Sequence, residues 1–217
     1  MLLAFSVDQP IARALASLDP GIVRVARFVT WFGQGGVTLY PTGILVLAGV
    51  AARSALPDLK ARLDGPIRKL AAIFITVAVA GLADDVLKIV FGRARPYRWL
   101  AGDDSGFGFF RYGAKFASFP SGHTTTSFAA AFALGAIFPR WRPVFLVMAV
   151  LIAISRLVLE AHYLSDVIAG ALLGGIVAFL ILNRLRRADW LPLQKPQDSN
   201  VLGVDNSGVK KTGGKRN

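Results

Sequence analysis

Five runs of apolar residues, each about the length needed to cross hydrocarbon, constrain this chain more than any other feature. They cover roughly Gly36–Ala52, Leu70–Phe91, Thr124–Phe138, Val144–Leu159 and Asp166–Leu185. A helix of about 20 residues spans roughly 30 Å of bilayer, so the runs predict a polytopic helix bundle. Only 18% of the 217 residues are charged, and mean hydropathy is positive. A soluble domain would carry about 25% charged residues. There is no cysteine, which excludes disulfide scaffolds, thiolate metal sites and cysteine nucleophiles. Two histidines are too few for most histidine-rich metal sites, and no metal or other cofactor is expected.

Ahead of the spans, Pro10–Phe32 mixes Arg13, Arg24 and Arg27 with Ile, Leu, Val and Phe, and Asp19-Pro20-Gly21 interrupts it. This predicts two short interfacial helices, with a sixth transmembrane span as the alternative. The chain therefore reads as all-α. Residues 1–35 are N-terminal amphipathic helices, 36–187 a transmembrane catalytic domain, and 188–217 a disordered cytoplasmic tail rich in Lys, Gly, Asn and Ser. The N-terminus lacks a basic region followed by a long apolar stretch, so no cleavable signal peptide is expected.

The net charge of +12 suits the anionic surface of a membrane rather than nucleic acid in a chain this apolar. Alternating spans put the connection Arg53–Lys69, the link Pro139–Pro143 and the arginines 184, 186 and 187 on one side, with ten basic residues between them. By the positive-inside rule that side is cytoplasmic. The opposite side receives the loop Gly92–Ser121, with five basic residues of its own, and the link Glu160–Ser165.

Both histidines fall on that outer side. His123 opens one span and His162 sits between two others, with Lys88, Arg95 and Arg156 at matching depth. Ionisable groups at a membrane boundary are functional candidates, and three cations beside two histidines suit a compact anion such as phosphate. Ser121 is placed to cap the helix that Gly122 and His123 begin, leaving backbone N–H groups to bind phosphate oxygens. Asp166, four residues after His162, can accept a proton from one ring nitrogen and leave the other as nucleophile. His123 can then protonate a leaving alkoxide.

Each residue alone has a plainer reading. Lys and Arg at span ends reach for headgroups. Asp84-Asp85 is placed to pair with Lys88 rather than to bind metal, and Asp103-Asp104 suits a solvated loop. Gly170 and Gly174 suit close helix packing. Gly33-Gln34-Gly35-Gly36 is a turn, since no Lys-Ser or Lys-Thr follows it.

The combination is what carries the signal. Lys88, six residues, Arg95-Pro96; Pro120-Ser121-Gly122-His123; Ser155-Arg156, five residues, His162, three residues, Asp166. In order and spacing this resembles the tripartite signature of the type 2 phosphatidic acid phosphatase (PAP2) superfamily, whose site is shared with vanadium haloperoxidases. The resemblance implies a metal-independent phosphatase of the inner (plasma) membrane, multi-pass, its site facing the periplasm or outside. His162 would form a phosphohistidine, oriented by Asp166. His123 would act as general acid and then base. Lys88, Arg95, Ser121, Gly122 and Arg156 would hold the phosphate. The expected partner is a lipid phosphate monoester or terminal pyrophosphate: undecaprenyl pyrophosphate, phosphatidylglycerophosphate, phosphatidic acid or lipid A 1-phosphate. Trp99, Phe107, Phe109 and Phe110 are placed either to select the lipid or to form an interfacial aromatic belt. Two alternatives stay open: a lipid phosphotransferase using the same phosphohistidine, and a headgroup-binding or transport protein without turnover. A haloperoxidase is disfavoured, since those relatives are soluble and larger.

Overall fold

A computed structural model describes residues 2–102, 106–111 and 113–191. The aspartates 103–104, expected as solvated, and residues 192–217 of the tail expected as disordered over 188–217 lie outside the described residues. Within 188–191 the expectation is corrected, since Leu191 is buried against Ala72, Ala178 and Leu182. The ordered chain is a bundle of eight helices among those residues: α1 (Leu2–Leu15), α2 (Pro20–Trp31), α3 (Gly35–Ala55), α4 (Lys60–Phe91), α5 (Pro96–Leu100), α6 (Gly122–Ile137), α7 (Arg142–Val158) and α8 (Leu164–Arg187).

Local chemistry sets the boundaries. The Asp19 side chain accepts the Gly21 N–H at 2.7 Å, and Pro20 occupies the first position of α2, where a missing N–H costs nothing. The expected break between two short N-terminal helices is therefore present. α4 ends at Gly92, whose φ of +52° is the left-handed conformation that closes a helix and favours glycine. At its other end α4 starts ten residues earlier than the apolar run, through the basic stretch Lys60–Lys69.

Four helical runs among the described residues are long and apolar enough to cross a membrane: Pro20–Ala55, Pro57–Phe91, Pro139–Val158 and Leu164–Arg187. The remaining expected span, α6, has 16 residues and lies at the centre. Its small side chains (Ala129, Ala130, Ala131, Ala133 and Gly135 are buried) let α4, α7 and α8 pack closely around it. Gly174 of α8 sits on the Thr125 carbonyl, and a Cβ at Gly170 would stand 2.7 Å from the Ser121 carbonyl oxygen. These two glycines are packing residues, as the spacing suggests. Ile73, Val77, Ala80, Ala129, Ala133 and Val177 form the core. Outward lie apolar side chains such as Ile44, Leu47, Leu172 and Phe179, the surface a bilayer covers.

Candidate active site

The C-terminal ends of α4 and α7 meet the N-terminal ends of α6 and α8, and this meeting brings the sequence-predicted residues together. His162 and Arg156 lie within electrostatic reach of Arg95, and all three, with Lys88, within reach of His123.

His162 occupies the link between α7 and α8, before the helix begins at Leu164, and is 4% exposed. Glu160, two residues earlier, takes a left-handed φ of 51° to turn the chain. His162 Nδ1 lies 2.7 Å from the Ser118 carbonyl oxygen. A carbonyl can only accept, so Nδ1 carries the proton and Nε2 the lone pair. Asp166 Oδ2 is 3.8 Å from Nδ1, outside hydrogen-bond distance. The direct proton acceptance expected of Asp166 is therefore replaced by a main-chain carbonyl, because His162 precedes α8 instead of sharing a helical face with Asp166. Asp166 acts from one layer further back: its Oδ2 accepts the Ser118 hydroxyl at 2.6 Å and the Tyr163 N–H at 2.9 Å. Burial pushes the His162 imidazole down from the usual 6.5 to about 4; the Asp166 carboxylate opposes the shift, while Arg95 and Arg156 add to it.

His123 stands in the first turn of α6. A Cβ on Gly33 would lie 3.3 Å from the His123 Cβ and Cδ2, so the α2–α3 link runs against this histidine. The Thr126 hydroxyl fixes the link by donating to the Gly33 carbonyl at 3.0 Å. Ser121 occupies the N-cap position of α6 but makes no side-chain cap. Its hydroxyl pairs instead with that of Thr124 at 2.9 Å, a correction to the expected capping role. A Cβ at Gly122 would stand 2.5 Å from Lys88 Nζ and 2.8 Å from Asp84 Oδ2, so a side chain there would displace the Lys88–Asp84 pair.

The cations are each held by protein. Lys88 forms an ion pair with Asp84, whose other oxygen accepts the Thr125 hydroxyl at 3.1 Å; the expected pairing is present. Arg95 donates from Nε to the Ala114 carbonyl at 2.9 Å, and burial lowers its proton affinity from the ordinary value. Arg156 donates to Thr30 of α2 at 2.6 Å. A groove of about 430 Å³ between α3, α4 and α6 has Lys88, Gly122 and His123 at one end and Leu39, Ala78 and Leu82 along it. Among the described residues no three His, Asp or Glu side chains gather as a metal site requires.

Several site residues escaped the sequence reading. Ser118 and Thr30 carry no motif. Arg93, fully buried, donates to Asp166 Oδ1 at 2.5 Å and to Asp8 Oδ2 at 2.7 Å. Asp8 had a readable signal: it shares the i, i+3, i+4, i+7 stripe of α1 with Ile11, Ala12 and Leu15, which line one cavity with it. A carboxylate on an otherwise apolar stripe needs a buried partner.

Comparisons with known proteins agree with this architecture. A family model described as the PAP2 superfamily matches residues 69–190, which include all three motifs. The lipid A 1-phosphatase of Rhizobium johnstonii is 35% identical over 178 residues, covering 80% of this chain and 71% of that protein. The lipid A 1-phosphatase of Rhizobium etli is likewise 35% identical over 178 residues, 80% of this chain and 75% of its own. Among crystal structures, a transmembrane PAP2 type phosphatidylglycerolphosphate phosphatase from Bacillus subtilis shares the fold with a TM-score of 0.59 at 22% identity, covering 86% of this chain and 88% of that one. LpxE from Aquifex aeolicus does so with a TM-score of 0.58 at 21% identity, over 81% and 94%.

Proposed function

The chain belongs to the PAP2 superfamily and is a membrane lipid phosphatase, and on that premise we propose that it removes the 1-phosphate of lipid A at the outer face of the inner membrane, through a phosphohistidine on His162. The substrate rests on the 35% identity to two lipid A 1-phosphatases. The mechanism rests on one observation above all: the Ser118 carbonyl accepts a hydrogen bond from Nδ1–H of His162, which leaves Nε2 unprotonated and nucleophilic.

In this reading Lys88, Arg95 and Arg156 surround the phosphate, joined by Ser121 and the N–H groups that begin α6. Nε2 of His162 attacks phosphorus and the bond from phosphorus to the lipid oxygen breaks. The bound phosphate's negative charge raises the proton affinity of His123, so His123 can protonate the departing oxygen. Water, deprotonated by His123, then attacks the phosphohistidine. Inorganic phosphate leaves and His162 is restored. Fixed cations supply the charge neutralisation that phosphoryl transfer needs, and the groove beside His123 offers apolar surface to a lipid chain. The outer-face location rests on the ten basic residues of the opposite side.

Phosphate release by the detergent-purified protein with EDTA present tests the reading, on a panel of lipid A, phosphatidic acid, phosphatidylglycerophosphate and undecaprenyl pyrophosphate. Release from lipid A, abolished in His162→Ala, is expected. Undiminished release by His162→Ala overturns the mechanism, and preference for another lipid overturns the substrate.

A further inference from the structure

Arg93 fills one of the six unspecified positions between Lys88 and Arg95, and Asp8 lies outside the three motifs, yet both are buried at the back of the site. The Arg93 guanidinium forks between two carboxylates: one amino group serves Asp8 at 2.7 Å, the other Asp166 at 2.5 Å and the Ser165 hydroxyl at 2.7 Å. Its plane stacks over the Tyr163 ring at 4.1 Å. Asp8 in turn accepts the Ser165 N–H at 2.9 Å and its hydroxyl at 2.5 Å. The contacts therefore run without a break from α1 to His162: Asp8 to Arg93, Arg93 to Asp166, Asp166 to the Ser118 hydroxyl, and the Ser118 carbonyl to the imidazole.

The charges argue for more than adhesion. Two buried carboxylates share one guanidinium, so the cluster keeps a net negative charge behind His162. Ion pairs this deep are a poor way to gain stability compared with apolar packing, whereas rigid support behind a reacting group is what a site requires. We propose that Arg93 and Asp8 are positioning residues for the phosphatase reaction: they hold the Asp166 carboxylate in place behind His162, which makes the N-terminal helix α1 a working part of the site. The inference rests on the roles of His162 and Asp166 proposed above.

The chain has only two histidines, so isotope-labelled histidine in the full-length protein gives two NMR signals, assigned with His162→Ala. The charged and titratable groups around His162 are Asp166 of α8, Arg95 of the segment after α4, Arg156 of α7 and His123 of α6, with Glu160 and Asp8 lining the same small cavity and Arg93 behind Asp166. Arg93→Gln leaves Asp166 uncompensated, so the His162 titration midpoint should rise by about one pH unit. Asp8→Asn removes one of the two negative charges that share Arg93, so the midpoint should fall. For the best substrate of the lipid panel, kcat should drop about tenfold or more in both variants with KM within about twofold, since the phosphate cations are untouched. Folded variants with the native midpoint and native kcat overturn the proposal. Should Arg93→Gln fail to fold, Asp8→Asn, which preserves shape and the acceptor toward Ser165, decides alone. Turnover by His162→Ala refutes the nucleophile assignment instead, and the titration, which needs no turnover, still decides whether Arg93 and Asp8 set the charge behind His162.

Discussion

At the residue scale, the burial of His162 ties protonation to both activity and stability. The folded protein refuses a proton at His162 until about pH 4, whereas the unfolded chain accepts one near 6.5. Stability should therefore be level above 6.5 and fall as the pH drops from 6.5 to 4, by up to about 1.4 kcal/mol per unit. Thermal midpoints in detergent for the native protein and His162→Ala, compared across that window, isolate this contribution; a native midpoint that rises on acidification contradicts it. Ser118 itself makes a sharper case. Ser118→Ala deletes the hydroxyl that reaches Asp166 but keeps the carbonyl that fixes the imidazole tautomer. We expect kcat to fall about tenfold rather than vanish, with the lost hydrogen bond to a charged group costing about 1.5–3 kcal/mol. The motif residues were legible because family spacing marks them. Ser118, Thr30 and Arg93 were not, since their partners lie 44, 126 and 73 positions away and no local pattern encodes such pairings; Asp8 stood out on its apolar stripe, but its partner 157 positions on did not.

At the scale of elements, the active end is held in register by two helix contacts that leave no room. Gly170 of α8 rests on the Ser121 carbonyl, and the Ser121 N–H donates to the Asp166 carbonyl at 3.1 Å. Gly170→Ala would push α8 from the start of α6 and part the two halves of the phosphate site. The expected result is a destabilisation of about 1–3 kcal/mol and at least a tenfold loss of phosphate release, read by thermal unfolding and the lipid assay; full activity would show that the contact can relax. Apolar runs located the long helices to within a few residues at most of their ends. The start of α4 was missed because Lys60–Lys69 is helical without being apolar, and hydropathy is blind to a helix that continues into polar sequence. The break at Asp19-Pro20-Gly21 was legible because the turn is written in cap chemistry.

For the whole molecule, the sequence displayed the bundle and its charge asymmetry, but not how the first two helices would pack. α2 meets α7 through Thr30 and Arg156, and α1 meets α8 through Asp8 and Ser165, contacts that amphipathic periodicity alone cannot assign to a partner. Orientation can be read directly, because the chain has no cysteine. In intact cells whose outer membrane is permeabilised, Lys115→Cys should react with a membrane-impermeant maleimide and Lys60→Cys should not; the reverse labelling would invert the topology proposed here. Activity should be unchanged by EDTA and inhibited by vanadate, a mimic of five-coordinate phosphorus held by the fixed cations. A strict Mg²⁺ requirement would instead implicate Asp84 and Asp85. The contact between Asp8 and Ser165 also has a consequence for biosynthesis. The ribosome makes Asp8 157 positions before Ser165, so a nascent chain carries the early carboxylate without this partner until α8 has been made. The rear of the site closes only when α8 has been inserted against α1, and a chain stalled before α8 cannot assemble it.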